Sequence, residues 1–349
     1  MANIIITGGA GFIGKQAARA ALERGHNVAV VDSRKPNGLE GILFEECDIT
    51  SAESVHEAFY RIYTAFDDHI DAVEHFAAAF NYSKPYHFLR KVNVEGTDIV
   101  AANAELFGVE KFLNMGAVAE YEEGSEVPIK ESTPLAPCEF YGKTKQEAEE
   151  LLFEKYHMPG RMKVATFRAV MVYGPDALGS YIDGMFNMIK NSKGPVVVPM
   201  KDTCNSYVHT YDIGRAFTHA VEHDSAFVED ASELNDIAYN LADEHVVSEH
   251  NIAKMIIGLM PDDTKRFLLP IVPHALLKIA SAASEYIEGF FKERTSLPKG
   301  VVLHAAHDHV LDNSKFKDRT GFRYHYPTTS LGMIDVVNWY CDNVWKKNP

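Results

Sequence analysis

The chain has 349 residues, 46% hydrophobic and 24% charged, with a formal net charge of −15. That length supports one large α/β unit or two packed domains. That charge excludes sequence-independent nucleic-acid binding, which needs lysine and arginine against phosphates. The four cysteines, Cys47, Cys138, Cys204 and Cys341, form no C-x-x-C pair, so neither a zinc knuckle nor a disulfide framework is expected, and a reducing cytoplasm is the expected compartment.

In chain order, short apolar runs alternate with helical patterns. Strands are predicted at 3–7, 27–32, 42–46, 71–76, 111–115 and 163–168, and helices at 12–24, 52–66, 86–107 and 141–156. The first run leaves no room for a targeting signal. This alternation means βαβ units and a parallel sheet covered on both faces. Beyond Pro175 the pattern becomes mixed: a helix at 180–191, strands at 195–199 and 206–210, helices at 212–222 and 248–259, and a last helix at 329–346. The expected architecture is a doubly wound parallel Rossmann sheet over 1–175, with a returning segment near 206–225, and a smaller mixed α/β substrate lobe over 176–349. The apolar stretch 267–291 is broken by Pro270, Pro273, His274, Lys278 and Glu285. A spanning helix needs about 20 apolar residues with few or no charges, so no membrane span is expected. The stretch fits an amphipathic helix packed on the protein better than one lying on a membrane surface.

Residues 7–14 read Thr-Gly-Gly-Ala-Gly-Phe-Ile-Gly between a strand and a helix. Gly8 permits a tight turn, Gly11 lets the backbone approach a pyrophosphate, and Gly14 lets helix and strand pack closely, with Phe12 and Ile13 at the helix start. The next strand ends in Asp32, whose carboxylate can accept from adenosine ribose hydroxyls and would repel a 2′-phosphate. NAD is therefore the expected cofactor; Ser33, Arg34 and Lys35 follow, and the two cations leave NADP as the weaker alternative.

With that site in hand, the chain resembles the extended short-chain dehydrogenase/reductases of the epimerase/dehydratase branch along nearly its full length. Cys47-Asp48-Ile49 resembles the adenine-contacting turn, His75-Phe76-Ala77-Ala78 the strand end lining the cofactor, and Asn93-Val-Glu-Gly96-Thr97 the motif on the following helix. Tyr141-Gly-Lys-Thr-Lys145 matches Y-x-x-x-K; Arg168 and Tyr173-Gly174-Pro175 match the segment entering the lobe; Asp312-Asn313-Ser314-Lys315 and Thr320-Gly321-Phe322 resemble the C-terminal signature. The resemblance implies a homodimer through the helices near 93–107 and 141–156.

Tyr141 and Lys145 fall on one helix face. A free tyrosine titrates near about pH 10; a neighbouring ammonium and an oxidised nicotinamide would favour phenolate, letting Tyr141 exchange a proton with a substrate hydroxyl. The resemblance also exposes departures. A Ser or Thr is expected four residues before Tyr121, where this chain has Ala117; losing such a donor typically lowers the rate by about 10²–10³. Ser83, Ser132, Thr133 or a water are candidate substitutes. Val118 and Ala119 stand where sugar-nucleotide dehydratases carry Asp-Glu, which argues against dehydration. Met171 and Asn205 replace an Asn and an Arg that hold a sugar nucleotide, features resembling the 3β-hydroxysteroid dehydrogenase branch. These residues, with Phe80, make the expected substrate pocket more apolar. The leading expectation is an NAD-dependent dehydrogenase acting on an apolar secondary alcohol or ketone. The alternatives are a nucleotide-sugar epimerase with tightly bound NAD, and an NAD-binding protein with weak catalysis. Glu120 reads as a packed or solvated carboxylate, with an acid/base role as the alternative. His304, His307 and His309, around Asp308, read as lobe packing rather than as a metal site.

Overall fold

The computed structural model describes residues 1–80, 84–157, 160–178, 180–191, 203–260 and 307–345, and the backbone of 195–196 and 267–268. Its strands are β1 (Asn3–Thr7), β2 (Asn27–Asp32), β3 (Leu43–Glu46), β4 (Ala72–His75), β5 (Lys111–Ala117), β6 (Lys163–Ala169), β7 (Val172–Tyr173), β8 (Pro195–Val196), β9 (Cys204–Asn205), β10 (Val208–His209), β11 (Ala238–Leu241), β12 (Val247–Ser248) and β13 (Phe267–Leu268). Its helices are α1 (Gly14–Glu23), α2 (Ala52–Ala65), α3 (Tyr86–Arg90), α4 (Gly96–Leu106), α5 (Phe140–Leu151), α6 (Tyr181–Asn191), α7 (Thr210–Glu222), α8 (Glu249–Leu259), α9 (Ser314–Thr320) and α10 (Thr329–Asn343).

Seven strands form one sheet in the order β11-β6-β5-β4-β1-β2-β3, every neighbour parallel. Burial on both faces explains why β1 and β2 read as near-continuous apolar runs, whereas the edge strand β3 is only half-buried. Along β1 the side chains alternate: Ile4 and Ile6 enter the core under α1 and α7, whereas Ile5 enters the core under α2 and α4. Each isoleucine is fully buried, which contributes about 1.5–3 kcal/mol per side chain. The chain runs outward from β1 to β3, then returns to β4 on the other side of β1. That reversal opens a crevice beyond the carboxyl ends of β1 and β4, where ligands of open α/β sheets sit.

The six expected strands coincide with β1 to β6 to within two residues at each end. Helix 86–107 is α3 and α4 joined through a π-helical turn, Lys91–Glu95. Of the expected strand 206–210, Val208–His209 form β10, which pairs with β7; β9 lies just before that range and pairs with β12, and between the two Ser206 donates its N–H to the His309 carbonyl at 2.8 Å. The sequence reading missed β11 and α9. Strand β11 closes the sheet beside β6; α9 begins where Asp312 accepts from Ser314 N–H at 2.9 Å and ends at Gly321, φ 75°. Of the apolar stretch 267–291, only the backbone of β13 lies within the described residues. Among the described residues, no helix is long and apolar enough to cross a membrane.

Helices α6, α8 and α10 build the lobe around a second core of Tyr173, Phe186, Tyr207, Ile256, Met333 and Tyr340. It abuts the carboxyl end of the sheet through β7, which follows β6 directly.

Candidate active site

The loop after β1 has the shape of a phosphate cradle. Gly8 adopts φ 70°, and a Cβ there would lie 2.7 Å from the Ala77 nitrogen; a Cβ on Gly14 would lie 2.4 Å from the Gly8 carbonyl oxygen. Only glycine allows β1, α1 and the β4 end to approach this closely. Helix α1 has no side-chain cap at Ile13, and among the described residues the amides of Phe12, Ile13 and Gly14 have no hydrogen-bond acceptor. Free amides at a helix start, with the dipole behind them, suit a pyrophosphate. Asp32, at the end of β2, accepts from Ala10 N–H at 3.0 Å and Arg34 N–H at 3.2 Å, which places its carboxylate beside the cradle. Ser33 and Arg34 are exposed, with the Arg34 guanidinium 3.5 Å from the Ala10 carbonyl. At the turn after β3, hydrogen bonds from Thr50 hold Asp48 below the usual carboxylate range. Ile49 packs where a Cβ on Gly96 would otherwise stand, 2.9 Å away. Glycine cradle, free amides and acidic strand end together fit NAD.

Behind the cradle a buried chain of hydrogen bonds fixes the β4 end. Thr97 Oγ1 donates to the Asn93 carbonyl at 2.6 Å, so it accepts from His75 Nε2–H at 3.0 Å. His75 Nδ1 is then bare and accepts from the Thr7 hydroxyl at 2.7 Å. Burial, then the nearby Lys145 charge, pushes the His75 pKa down to about 3, so the ring stays neutral. The π-helical turn presents Asn93, which accepts from Ala79 N–H at 2.7 Å and donates to Thr144 Oγ1 at 3.0 Å. Asn93 thereby ties the segment Phe76, Ala77, Ala78 and Ala79 to α5. Phe76 packs on Phe217, with ring centroids 4.4 Å apart.

Helix α5 carries Tyr141 and Lys145, the pair expected to transfer the proton. Its start presses against the 3₁₀ turn Val118–Glu120 at the end of β5: a Cβ on Gly142 would lie 2.0 Å from the Ala119 carbonyl oxygen. Glu139 caps the helix by accepting from the Tyr141 and Gly142 amides, each at 2.6 Å. Tyr141 is half-buried against the exposed Phe80, edge-on with centroids 4.9 Å apart, and Lys145 is 4% exposed one turn later. Burial, then Glu120 and Glu139, pushes the Tyr141 phenol above its ordinary value. The expected lowering by Lys145 is not met by the protein alone. Burial disfavours the Lys145 charge, and the Glu120 and Glu149 carboxylates that uphold it also neutralise its field.

The substrate-side residues divide. Ala117 ends β5 with its N–H donated to Glu120 Oε1 at 2.6 Å. Met171 is half-buried between two apolar clusters of the lobe. Asn205 is buried, donating to Glu249 at 2.9 Å and accepting from His309 N–H at 3.0 Å. Ser132 is exposed, Thr133 Oγ1 closes a turn by accepting from Lys130 N–H, and Ser83 lies outside the described residues. His307 and His309 converge on Glu123, at 3.5 and 3.3 Å, while His304 lies outside the described residues. Among the described residues one His/Glu group, His219, Glu222 and His223, brings its donor atoms within 4.8 Å of one another, but Glu222 is already engaged by Arg24 and His26. The sequence reading passed over Glu149 and took Glu120 for a packed or solvated carboxylate: both are fully buried against Arg168.

Residues 4–241 match the model of the NAD dependent epimerase/dehydratase family. UDP-arabinose 4-epimerase 1 of Arabidopsis thaliana is 31% identical over 193 residues, 51% of this chain and 44% of that protein. The chain thus spans less than half the length of that relative. UDP-glucose 4-epimerase of Bacillus subtilis is 25% identical over 253 residues, 63% of this chain and 72% of that one. Among solved structures, UDP-glucose 4-epimerase of Thermotoga maritima with UDP-glucose superposes with a TM-score of 0.73 at 22% identity, covering 98% of this chain and 99% of that one. That last likeness is one of fold. These relatives lend no support to the resemblance to the 3β-hydroxysteroid dehydrogenase branch.

Proposed function

This chain belongs to the NAD-dependent epimerase/dehydratase family, and from that premise we propose that it is a nucleotide-sugar epimerase, inverting one secondary carbinol of its substrate by oxidation and re-reduction with NAD retained. The observation that carries the reading is the Tyr141–Lys145 pair, held by Gly142 against the end of β5, on the same carboxyl edge of the sheet as the glycine cradle. The free amides at the start of α1 would hold the pyrophosphate, Asp32 the adenosine ribose, and Lys145 the nicotinamide ribose. When bound, NAD supplies the electron-pair acceptor for the oxidation and the donor for the return.

Tyr141 does the proton work. Its phenolic oxygen takes the proton of the substrate hydroxyl and returns it after the sugar has turned its other face. A phenol held above its ordinary value keeps that proton well, which suits the interval between the two half-reactions. The positive charge of the oxidised cofactor is what favours the phenolate for the first transfer. His75, neutral and locked between Thr7 and Thr97, keeps the β4 end in place without adding charge.

The dehydrogenase of an apolar alcohol, expected from Met171, Asn205 and Ala117, gives way to this reading. The named relatives act on UDP-sugars. Met171 and Asn205 also sit in the packing of the lobe, so their side chains report on its interior rather than on the polarity of a pocket. A homodimer through α4 and α5 and a cytoplasmic location belong to the same proposal. The test is incubation with NAD and UDP-glucose, UDP-galactose or UDP-arabinose, followed by proton NMR of the anomeric signals. The expected result is interconversion of epimers without net NADH, abolished in Tyr141→Phe. Net NADH from simple alcohols, with no epimer formed, would overturn the epimerase in favour of the dehydrogenase.

A further inference from the structure

An ion pair joins the cofactor cradle to the way into the lobe. Lys15 stands in the first turn of α1, directly after Gly14, and its Nζ donates to Asp176 Oδ2. Asp176 follows Tyr173-Gly174-Pro175 on the loop by which the chain leaves β7 for the lobe. The foot of that loop is fixed. A Cβ on Gly174 would lie 2.0 Å from Thr210 Oγ1 at the start of α7, and a Cβ on Gly214 of α7 would lie 2.7 Å from Ala17 Cα of α1. Asp176 itself has φ 66°, in the left-handed region that aspartate and asparagine tolerate better than most side chains. In that conformation its carboxylate meets Lys15.

Helix α1 alone does not favour this lysine. The positive end of its dipole repels a cation in the first turn, and that turn holds no acidic residue to offset the charge. The Lys15 side chain is 12% exposed, so water compensates it little and Asp176 is its counter-charge. The same end of α1 offers the free amides of Phe12, Ile13 and Gly14 to a pyrophosphate. The pair thus links the wall that receives the diphosphate to the loop that opens the lobe. We propose that Lys15 and Asp176 form a latch across the mouth of the cofactor crevice. The latch parts to admit NAD and, once closed, delays its release, so that one cofactor molecule serves both the oxidation and the return. It rests on the cradle as the NAD site; the two half-reactions it serves belong to the epimerase reading.

Asp176→Asn removes the charge and keeps a residue that tolerates the left-handed backbone; Lys15→Met keeps the apolar stem. NADH binding to each variant, and to the double variant, is followed by stopped-flow fluorescence, with release measured by displacement with excess NAD. No sugar nucleotide is present, so failure of the epimerase reading leaves the result legible. A latch that is closed in the free protein slows entry as well as exit, which a simple contact with the cofactor does not. In Asp176→Asn the association and release rates are both expected to rise about threefold, the size of effect of a partly exposed ion pair, with Kd within about twofold. Lys15→Met is expected to release NADH at least as fast, and the double variant no faster than Lys15→Met, because one bond is lost in all three. Thermal melting checks that each variant is folded, and Lys15→Met decides the question where Asp176→Asn is not. An unchanged release rate overturns the latch. So does release that quickens while association does not, or single effects that multiply in the double variant.

Discussion

Ala117→Ser puts back the hydroxyl that the end of β5 lacks. Ala117 is 8% exposed, its N–H is held by Glu120 at 2.6 Å, and its register partner on β6 is Ala169, so one added oxygen meets no bulky neighbour across the ladder. A preorganised donor to a developing oxyanion is worth about 10²–10³ in rate, or about 2.7–4 kcal/mol. A serine introduced without its supporting shell recovers part of that. The expected rise in kcat is about tenfold or more, which is at least about 1.4 kcal/mol of transition-state stabilisation. Stability should move the other way. An added buried hydroxyl without an acceptor costs about 1–3 kcal/mol, and each kcal/mol lowers the melting temperature by about 1–2 °C in a chain of 349 residues. The assay is kcat for UDP-sugar interconversion at saturating NAD, with thermal melting of the same preparation. A folded serine variant with unchanged or lower kcat would refute the reasoning and show that another group already bonds the substrate oxygen.

Gly142→Ala sets a methyl group 2.0 Å from the Ala119 carbonyl oxygen; α5 must shift, and kcat is expected to fall by about 10² or more from misplacement of Tyr141 while NAD affinity changes little. Kinetics with a parallel NAD titration checks this, and unchanged turnover would contradict it. Asp32→Ser removes the carboxylate beside the cradle; the NADP-to-NAD affinity ratio is expected to rise about tenfold or more, the order of one repulsion between nearby charges. A ratio unmoved in fluorescence titrations would mean that Asp32 does not face the ribose. Glu74, fully buried in β4, has no hydrogen-bond partner for either carboxyl oxygen among the described residues, and burial pushes its pKa well above the carboxylate range. Because the folded form binds the proton more tightly than the unfolded chain, this group's contribution is full below the unfolded value of about 4.3 and is lost as pH rises toward the folded one, by about 1.4 kcal/mol per unit. Glu74→Met should therefore be stabilised relative to the unsubstituted protein, more at pH 8 than at pH 5, in urea unfolding. A gap independent of pH would show that the carboxyl is already ionised.

The parallel sheet was legible because β1, β2, β5 and β6 are short, largely apolar runs alternating with helical patterns, and the cofactor cradle because glycine spacing and Asp32 stand at fixed offsets from two of those strands. Strand β11 was not legible. Its four residues, Ala-Tyr-Asn-Leu, carry Asn240, whose Oδ1 accepts from the Tyr121 hydroxyl at 2.7 Å and whose Nδ2 donates to the Ile129 carbonyl at 3.1 Å. A buried asparagine satisfied by distant residues leaves no local apolar signal. The charge group behind Tyr141 was half-visible: Tyr141, Lys145 and Glu149 fall on one helix face at four-residue spacing. A Lys-Glu pair at that spacing ordinarily marks a solvated surface, and its burial arises only because Gly116 and Arg168 close over it from two strands. Met171 and Asn205 were read in the same way, from residue type alone. A residue type that departs from the family pattern suggested a changed pocket, but contacts made across the lobe decide where that side chain points.

The account turns on the phenol of Tyr141 exchanging the substrate proton beside NAD held at the glycine cradle. Tyr141→Phe removes one oxygen and keeps the ring on Phe80, so NAD titration and UDP-sugar turnover measured on one preparation separate binding from proton transfer. NAD affinity within about threefold of the unsubstituted protein and turnover lower by about 10²–10⁴ is the predicted result. Turnover that survives the loss of that oxygen, or NAD affinity that disappears with it, would contradict the account.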